Sequence, residues 1–132
     1  MKKILLVDDE AAIRIMVRAV LAEPDYTFEE ATNGAEALKL METNAFDLII
    51  TDVIMPDCDG IELIMNARKK MPDIKIVVMS AGGRVRADYY LHLAEKLGAA
   101  QVFEKPFNIA QFRETVRELL ADSEAALEGE LV

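Results

Sequence analysis

Three short runs made only of apolar residues most strongly restrict how this chain can fold. They are ILLV at residues 4–7, LII at residues 48–50 and IVVM at residues 76–79. A strand with one face in water alternates apolar and polar residues, whereas a strand covered on both faces is apolar throughout. We therefore expect these runs to be central strands of a parallel sheet with helices on both faces.

Helical patterns alternate with these runs, and two further β-rich segments complete the set of candidate strands. The predicted strands are Lys3–Val7, Thr27–Ala31, Asp47–Thr51, Lys75–Met79 and Gln101–Phe103. Apolar spacing and cap residues predict five helices, with a buried face at Ile13–Leu21, then from Asn33-Gly34 to about Thr43, Asp59-Gly60 to near Pro72, Arg84 to Leu97, and Ile109 to about Leu120. Such alternation is typical of an α/β fold with a doubly wound, five-stranded parallel sheet.

Polar residues follow four of the predicted strands. Asp8 and Asp9 come after the first strand, Asp52 after the third, Ser80 after the fourth and Lys105 after the fifth. In an open parallel sheet, ligands bind beyond the carboxyl ends of the strands. We therefore expect these five side chains to lie at the same edge of the sheet.

Three carboxylates in one crevice repel one another unless one is protonated or a cation joins them. A small set of oxygen ligands with open positions suits Mg²⁺, which keeps several waters and completes its shell with phosphate oxygens. A lysine nearby adds a second positive charge. A lysine and a divalent cation facing one carboxylate indicate a site for a transferable phosphoryl group.

Length and charge narrow the function further. The 132 residues fit one domain, and we expect it to span residues 1–120 with an acidic tail at residues 121–132, either frayed or continuing the last helix. The net charge of −9 argues against direct nucleic-acid binding. No apolar run approaches the length of about 18 residues needed to insert in a membrane. The only cysteine, Cys58, excludes an internal disulfide and favours the cytoplasm.

Four sequence segments together resemble the receiver domain of two-component response regulators, which are CheY-like proteins of bacterial signalling. They are ILLVDDE, DLIITDVIMPDCDG, VVMSA and VFEKPF, in that order along residues 1–120. Each is weak alone, but each falls at the expected strand end. The resemblance implies a flavodoxin-like strand order 2-1-3-4-5 and a phosphoacceptor switch, which assists its own phosphorylation and dephosphorylation but is not otherwise an enzyme.

The resemblance also implies roles for the acids. Asp52 matches the phosphoacceptor, which takes a phosphoryl group from a histidine kinase or a phosphotransfer protein. Asp9, Asp52 and the backbone carbonyl of Ile54 match the direct Mg²⁺ ligands, and Asp8 matches the residue that holds the metal through water. A downstream target protein, whose affinity changes on phosphorylation, is the other implied partner.

Lys105 and Ser80 match the remaining site residues of the family. Lys105 corresponds to the lysine that pairs with the acceptor carboxylate and then with the phosphoryl oxygens. Ser80 corresponds to the hydroxyl that moves onto the phosphoryl group and starts the conformational switch. The Lys105–Pro106 bond matches one that is usually cis, as an X-Pro bond permits.

Two departures from the family pattern concern the switch. The family's usual aromatic residue, three positions before the lysine, is Val102 here, and Phe103 is expected to face the other side of its strand. The segment after Ser80 is longer than is common and begins with Gly82-Gly83. We therefore expect the signal to be transmitted by movement of residues 81–90, with Arg84, Arg86, Tyr89 and Tyr90 as a candidate contact surface.

Three alternatives remain beside a stand-alone receiver. The chain could be the receiver part of a longer regulator with an output domain. A small hydrolase of the aspartyl-phosphate type is disfavoured, because such enzymes usually have a second acid two positions after the nucleophile and Ile54 is there. A flavin or nucleotide carrier is disfavoured because the first turn, VDDEAAIR, lacks phosphate-binding glycines.

Overall fold

Parallel strands in the order β2-β1-β3-β4-β5 form the central sheet of the computed structural model. The strands are β1 (Lys2–Val7), β2 (Tyr26–Ala31), β3 (Leu48–Asp52), β4 (Lys75–Ala81) and β5 (Gln101–Lys105). The helices are α1 (Ala11–Val20), α2 (Gly34–Thr43), α3 (Gly60–Lys70) and α4 (Ile109–Leu131). The five parallel strands and their order 2-1-3-4-5 confirm the predicted fold class.

The structure describes residues 1–52, 60–81, 92, 95–96, 98–105 and 108–131, with the backbone alone at 80–81, 104–105 and 122–131. His92, Glu95 and Lys96 are helical, and the rest of the helix predicted from Arg84 to Leu97 lies outside these residues. Gly98 has a φ of +94°, a left-handed conformation that suits the predicted helix-ending glycine. None of the described helices combines the length and apolar character needed to cross a membrane.

Two separate cores cover the two faces of the sheet, as expected for a doubly wound fold. Within β1, Leu5 and Val7 pack with residues of α2 and α3, whereas Ile4 and Leu6 pack with residues of α1 and α4. Alternate residues of a strand point to opposite faces, so a strand between two helical layers must be apolar at every position. The buried runs of β1, β3 and β4 confirm that interpretation of the sequence.

Strand ends differ from the predicted bounds by one or two residues. The Asp47 side chain accepts a bond from the Lys3 backbone N–H at 2.8 Å, so a side chain occupies the start of the ladder and β3 begins at Leu48. Strands β4 and β5 continue two residues further because Ser80 pairs with Glu104 and Ala81 with Lys105. Backbone pairing does not require apolar side chains, so the polar side chains of Ser80, Glu104 and Lys105 did not end the strands.

Helix α4 extends well beyond the predicted end near Leu120. Its backbone remains helical to Leu131, so the acidic segment continues the last helix rather than fraying.

Reciprocal side-chain bonds mark the start of helix α2. The Asn33 side chain accepts the Glu36 backbone N–H at 2.8 Å, and the Glu36 carboxylate accepts the Thr32 backbone N–H at 3.1 Å. The Thr32 hydroxyl also donates to Glu36, and these bonds hold the pKa of the Glu36 carboxyl below its ordinary value. Amide groups that would otherwise lack partners at the start of a helix are thereby satisfied.

We expect Asn33→Ala to lower the free energy of unfolding by about 1 kcal/mol, because the capping acceptor is lost. Asn33→Ser, which keeps an acceptor oxygen at the cap, should lose only a small part of this. Urea unfolding followed by circular dichroism measures both. Equal losses for the two substitutions would contradict the capping role of the Asn33 side chain.

Candidate functional site

The pairing of β1 with β3 brings two acids side by side at the carboxyl edge of the sheet. Val7 lies opposite Thr51 in the parallel register. The next residue after Val7 is Asp8, and the next after Thr51 is Asp52. Adjacent strands in a sheet are about 4.8 Å apart, so the two acids leave the sheet as neighbours.

Both of these acids are buried in a protein whose described core is otherwise almost entirely apolar. Asp8 is 1% exposed and Asp52 is 7% exposed, while Asp9 and Glu10 are exposed. One carboxylate oxygen from each of Asp8, Asp9 and Glu10 lies within 4.8 Å of the other two. Burial and like charge both raise the free energy of an ionised carboxylate, so this edge favours a bound cation.

Short-range hydrogen bonds fix the path of the chain through the acids. The Asp8 backbone N–H donates to the Ala31 carbonyl at 3.1 Å, which continues the pairing with β2. The Asp8 Oδ1 atom accepts the Glu10 backbone N–H at 2.9 Å. Arg14 Nη1 donates to the Asp8 carbonyl at 2.6 Å. These bonds turn the chain from the end of β1 into the start of α1.

The acids also lie at the amino end of α1. Glu10 is the N-cap residue, and its carboxylate does not cap the helix. The partial positive charge of a helix amino terminus stabilises nearby anions. This effect contributes to the site but does not replace a cation, since Asp8 is buried rather than solvated. Glu10 therefore lies at the cap of α1 and close to the other two carboxylates.

The backbones of the other candidate residues reach the same edge. Asp52 pairs with Met79, so Ser80 continues one position beyond it on β4, and Lys105 ends β5 opposite Ala81. The side chains of Ser80 and Lys105 lie outside the described part of the structure. Ile54, Pro106 and the predicted contact surface at Arg84, Arg86, Tyr89 and Tyr90 lie outside it entirely.

The donor set fits Mg²⁺. Asp8, Asp9 and Asp52 offer oxygen ligands alone, which are the ligands that this hard cation prefers. Two of the three carboxylates, Asp8 and Asp52, are buried at the ends of adjacent strands, where a divalent cation would offset their repulsion. The negative charge and the oxygen ligands of these acids therefore suit a magnesium ion.

Val102 and Phe103 face opposite sides of β5, as predicted. The Phe103 ring is 8% exposed and makes an edge-to-face contact with Phe112 of α4, with ring centroids 5.2 Å apart. Val102 is partly buried against the core shared by α2 and α3. The aromatic ring of this strand therefore packs against α4 and not on the side where the family usually has one.

Comparison with known sequences decides the family. Residues 4–117 match the response regulator receiver domain. The chain belongs to this family. It is therefore a receiver domain of two-component signalling, as its sequence motifs indicated.

Relatives of this receiver domain are of different lengths. It is 33% identical over 119 residues to the sporulation initiation phosphotransferase F of Bacillus subtilis, which covers 90% of this chain and 94% of that protein. It is 35% identical to the transcriptional regulatory protein PhoP of Bacillus subtilis but spans only 51% of its length. It is 37% identical to the sensor kinase CckA of Brucella abortus and spans 12% of its length. The same domain thus occurs both in proteins of this size and within longer ones.

Solved structures agree with the fold. The response regulator TrrA of Thermotoga maritima, determined in complex with Mg²⁺ and BeF, is 37% identical, with a TM-score of 0.75 over 90% of this chain and 99% of that chain. A CheY-like receiver domain protein from Methanospirillum hungatei is 28% identical, with a TM-score of 0.83 over 96% of this chain and 98% of that chain.

One residue at the site was missed from the sequence. Arg14 is 15% exposed and donates both to the Asp8 carbonyl and to the Glu30 carboxylate of β2. The only sequence signal is a basic residue one helical turn after Glu10, on a helix whose remaining residues are apolar except for Arg18. That signal does not reveal a bond to a backbone carbonyl.

We expect Asp9→Asn to raise the stability of the metal-free protein by a few tenths to about 1 kcal/mol, because it removes one of the crowded charges without changing shape. Urea unfolding without divalent cations, at low and at high salt, tests this. The gain should shrink at high salt, where charge repulsion is screened. Glu42→Gln, an exposed acid on α2 outside the cluster, is the matched control. A lower stability of Asp9→Asn in metal-free, low-salt buffer would contradict repulsion among the acids.

Proposed function

We propose that this receiver domain is a phosphoacceptor switch in which Asp52 accepts a phosphoryl group in the presence of Mg²⁺. The observation that carries the proposal is the burial of Asp52 at the end of the central strand β3, directly beside Asp8. A carboxylate so placed is shielded from most of the solvent and has a second acid beside it with which to bind a cation.

The acids have distinct proposed roles toward the metal. Asp9, Asp52 and the carbonyl of Ile54 would be direct ligands, and Asp8 would act through a bound water. The cation supplies positive charge that offsets the carboxylates and the oxygens of the transferred group. Asp8 is suited to the indirect role, since its Oδ1 atom already accepts the Glu10 N–H.

Asp52 acts as a nucleophile in this proposal. One of its carboxylate oxygens forms a bond to phosphorus while the bond from phosphorus to the donor breaks, and the electron pair of that bond leaves with the donor. When the donor is a phosphohistidine, the leaving imidazole nitrogen retains the pair. The product is an aspartyl phosphate on β3 and an unmodified histidine on the partner.

Lys105 and Ser80 are proposed to recognise the transferred group. Both backbones end at the acid edge, on β5 and β4. The lysine would neutralise phosphoryl oxygens, and the serine hydroxyl would donate to one of them. A charged acceptor makes a stronger hydrogen bond than a neutral one, so phosphorylation would draw Ser80 toward Asp52.

Proteins are the proposed partners on both sides of the reaction. The donor would be a histidine kinase or a phosphotransfer protein, and the output would be a changed affinity for a target protein. The names of the relatives support this, since they include a phosphotransferase, a sensor kinase and a transcriptional regulator. The proposal applies equally to a receiver that acts alone and to one joined to an output domain. The acidic charge opposes direct binding to nucleic acid, and the single cysteine suits the cytoplasm.

We expect acetyl phosphate to add one phosphoryl group to the protein in Mg²⁺, as measured by intact mass. Asp52→Asn should remove the modification, because an amide oxygen is a much weaker nucleophile. Excess chelator should also remove it from the wild-type protein. Asp47→Asn is the matched control, since it changes the aspartate directly before the opposite end of β3 and keeps an acceptor for Lys3. Modification of Asp52→Asn at the wild-type rate would contradict the assignment.

Ser80→Ala should still accept the phosphoryl group but respond to it less. With beryllofluoride as a phosphoryl mimic, the wild-type protein should change its amide hydrogen exchange most in residues 81–91. In Ser80→Ala most of that change should be lost, because the bond that draws β4 toward the site is missing. If the segment at Val102 and Phe103 responds instead, residues 81–91 do not transmit the signal.

A further inference from the structure

Arg14 of α1 connects the acid loop, which we define as Asp8–Glu10, to strand β2. Its Nη1 atom donates to the Asp8 carbonyl at 2.6 Å, and its Nε atom donates to Glu30 Oε1 at 3.0 Å. The guanidinium therefore lies between the first turn of the site and β2. With 15% of its side chain exposed, Arg14 is far less accessible than a typical surface arginine.

A second arginine holds the shared carboxylate. Arg18 Nη1 donates to the other oxygen of Glu30 at 2.9 Å, and its side chain is 53% exposed. Each oxygen of Glu30 thus binds a different arginine. The planar guanidinium of Arg14 can bind Glu30 and the carbonyl together because its N–H groups point in fixed, separate directions.

The carbonyl bound by Arg14 belongs to the peptide between Asp8 and Asp9. Fixing that carbonyl fixes the plane of the peptide, and with it the direction in which the Asp9 side chain leaves the chain. This matters here because Asp8, Asp9 and Glu10 crowd together and their repulsion would spread them apart. A bond to the backbone opposes this spreading without occupying a carboxylate.

We infer that Arg14 is a positioning residue for the metal site, which keeps Asp9 directed toward the cation. This inference depends on the proposed function, because it assigns Arg14 a role toward the proposed Mg²⁺ site. Arg14 does not bind the metal and does not touch the phosphoryl group. Its effect is transmitted through the Asp8–Asp9 peptide.

The opposite expectation follows if Arg14 acts only by its charge. A positive charge beside the acids repels Mg²⁺, so removing it would tighten metal binding. Positioning predicts weaker binding instead. The sign of the change therefore separates the two roles.

The experiment compares Arg14→Met with Arg18→Met, since methionine keeps much of the apolar stem in each case. Mg²⁺ is titrated into each protein, and the dissociation constant is measured from backbone amide shifts in NMR spectra. We expect Arg14→Met to weaken Mg²⁺ binding about tenfold, the lower end of the effect of groups that orient metal ligands. Arg18→Met removes the same charge and a bond to the same Glu30 but leaves the Asp8 carbonyl contact, so its dissociation constant should stay within about twofold of wild type.

A measurement without metal gives an independent result. Hydrogen exchange of the Glu10 amide, which donates to Asp8 Oδ1, should be faster in Arg14→Met than in wild type and unchanged in Arg18→Met. If the wild-type protein does not bind Mg²⁺, the proposed function fails, and this exchange rate alone decides whether Arg14 holds the loop.

Equal or tighter Mg²⁺ binding by Arg14→Met would overturn the inference, as would an unchanged Glu10 exchange rate. If Arg14→Met fails to fold, Arg14→Lys replaces it, because lysine keeps the charge but lacks the fork that binds Glu30 and the carbonyl together. Weaker Mg²⁺ binding by Arg14→Lys supports positioning, and wild-type affinity overturns it.

Discussion

Parallel pairing between β1 and β3 places Asp8 and Asp52 side by side at the carboxyl edge of the sheet. The register sets Val7 opposite Thr51, and Asp8 and Asp52 follow these two residues directly. Both strands are buried on two faces, so neither can slip by one residue without moving apolar side chains between two different cores. The position of Asp52, the proposed acceptor, relative to Asp8 is therefore determined by the packing of the whole sheet.

Crowded acids are costly to the folded protein, and the surrounding structure limits that cost locally. The amino end of α1, the Glu10 amide and the Arg14 guanidinium each lie beside the acids. None of them removes the negative charge of the carboxylates. A divalent cation would relieve the repulsion more completely, and it would also offset the negative oxygens of a transferred phosphoryl group. Conformational changes driven by such relief need only a few kcal/mol of difference between two states.

Apolar runs predicted the fold well because a strand buried on both faces is apolar at every position. The runs at 4–7, 48–50 and 76–79 are buried strands in the structure, and Asn33 caps the helix that it was expected to start. Strand ends were less predictable: Asp47 replaces a ladder contact with its side chain, and β4 and β5 stay paired through polar residues. The helical course of residues 121–131 was one of two possibilities that composition left open.

Candidate site residues were predictable only where the chain itself places them at strand ends. Asp8 and Asp52 met this condition, and the structure places them side by side. Arg14 did not, because its partner is a backbone carbonyl whose orientation depends on the turn between β1 and α1. Glu10 lies in the acid cluster because the start of α1 at Ala11 leaves it at the cap of the helix.

The central claim is that the acids on β1 and β3, with Ser80 and Lys105, form one metal-dependent phosphoacceptor site. The most direct measurement is a crystal structure of the protein grown with Mg²⁺ and beryllofluoride. The claim predicts beryllofluoride on a carboxylate oxygen of Asp52, Mg²⁺ bound by Asp9 and Asp52, and the Lys105 ammonium and Ser80 hydroxyl on the fluorides. Beryllofluoride on another residue, or a metal ion that contacts neither Asp9 nor Asp52, would contradict it.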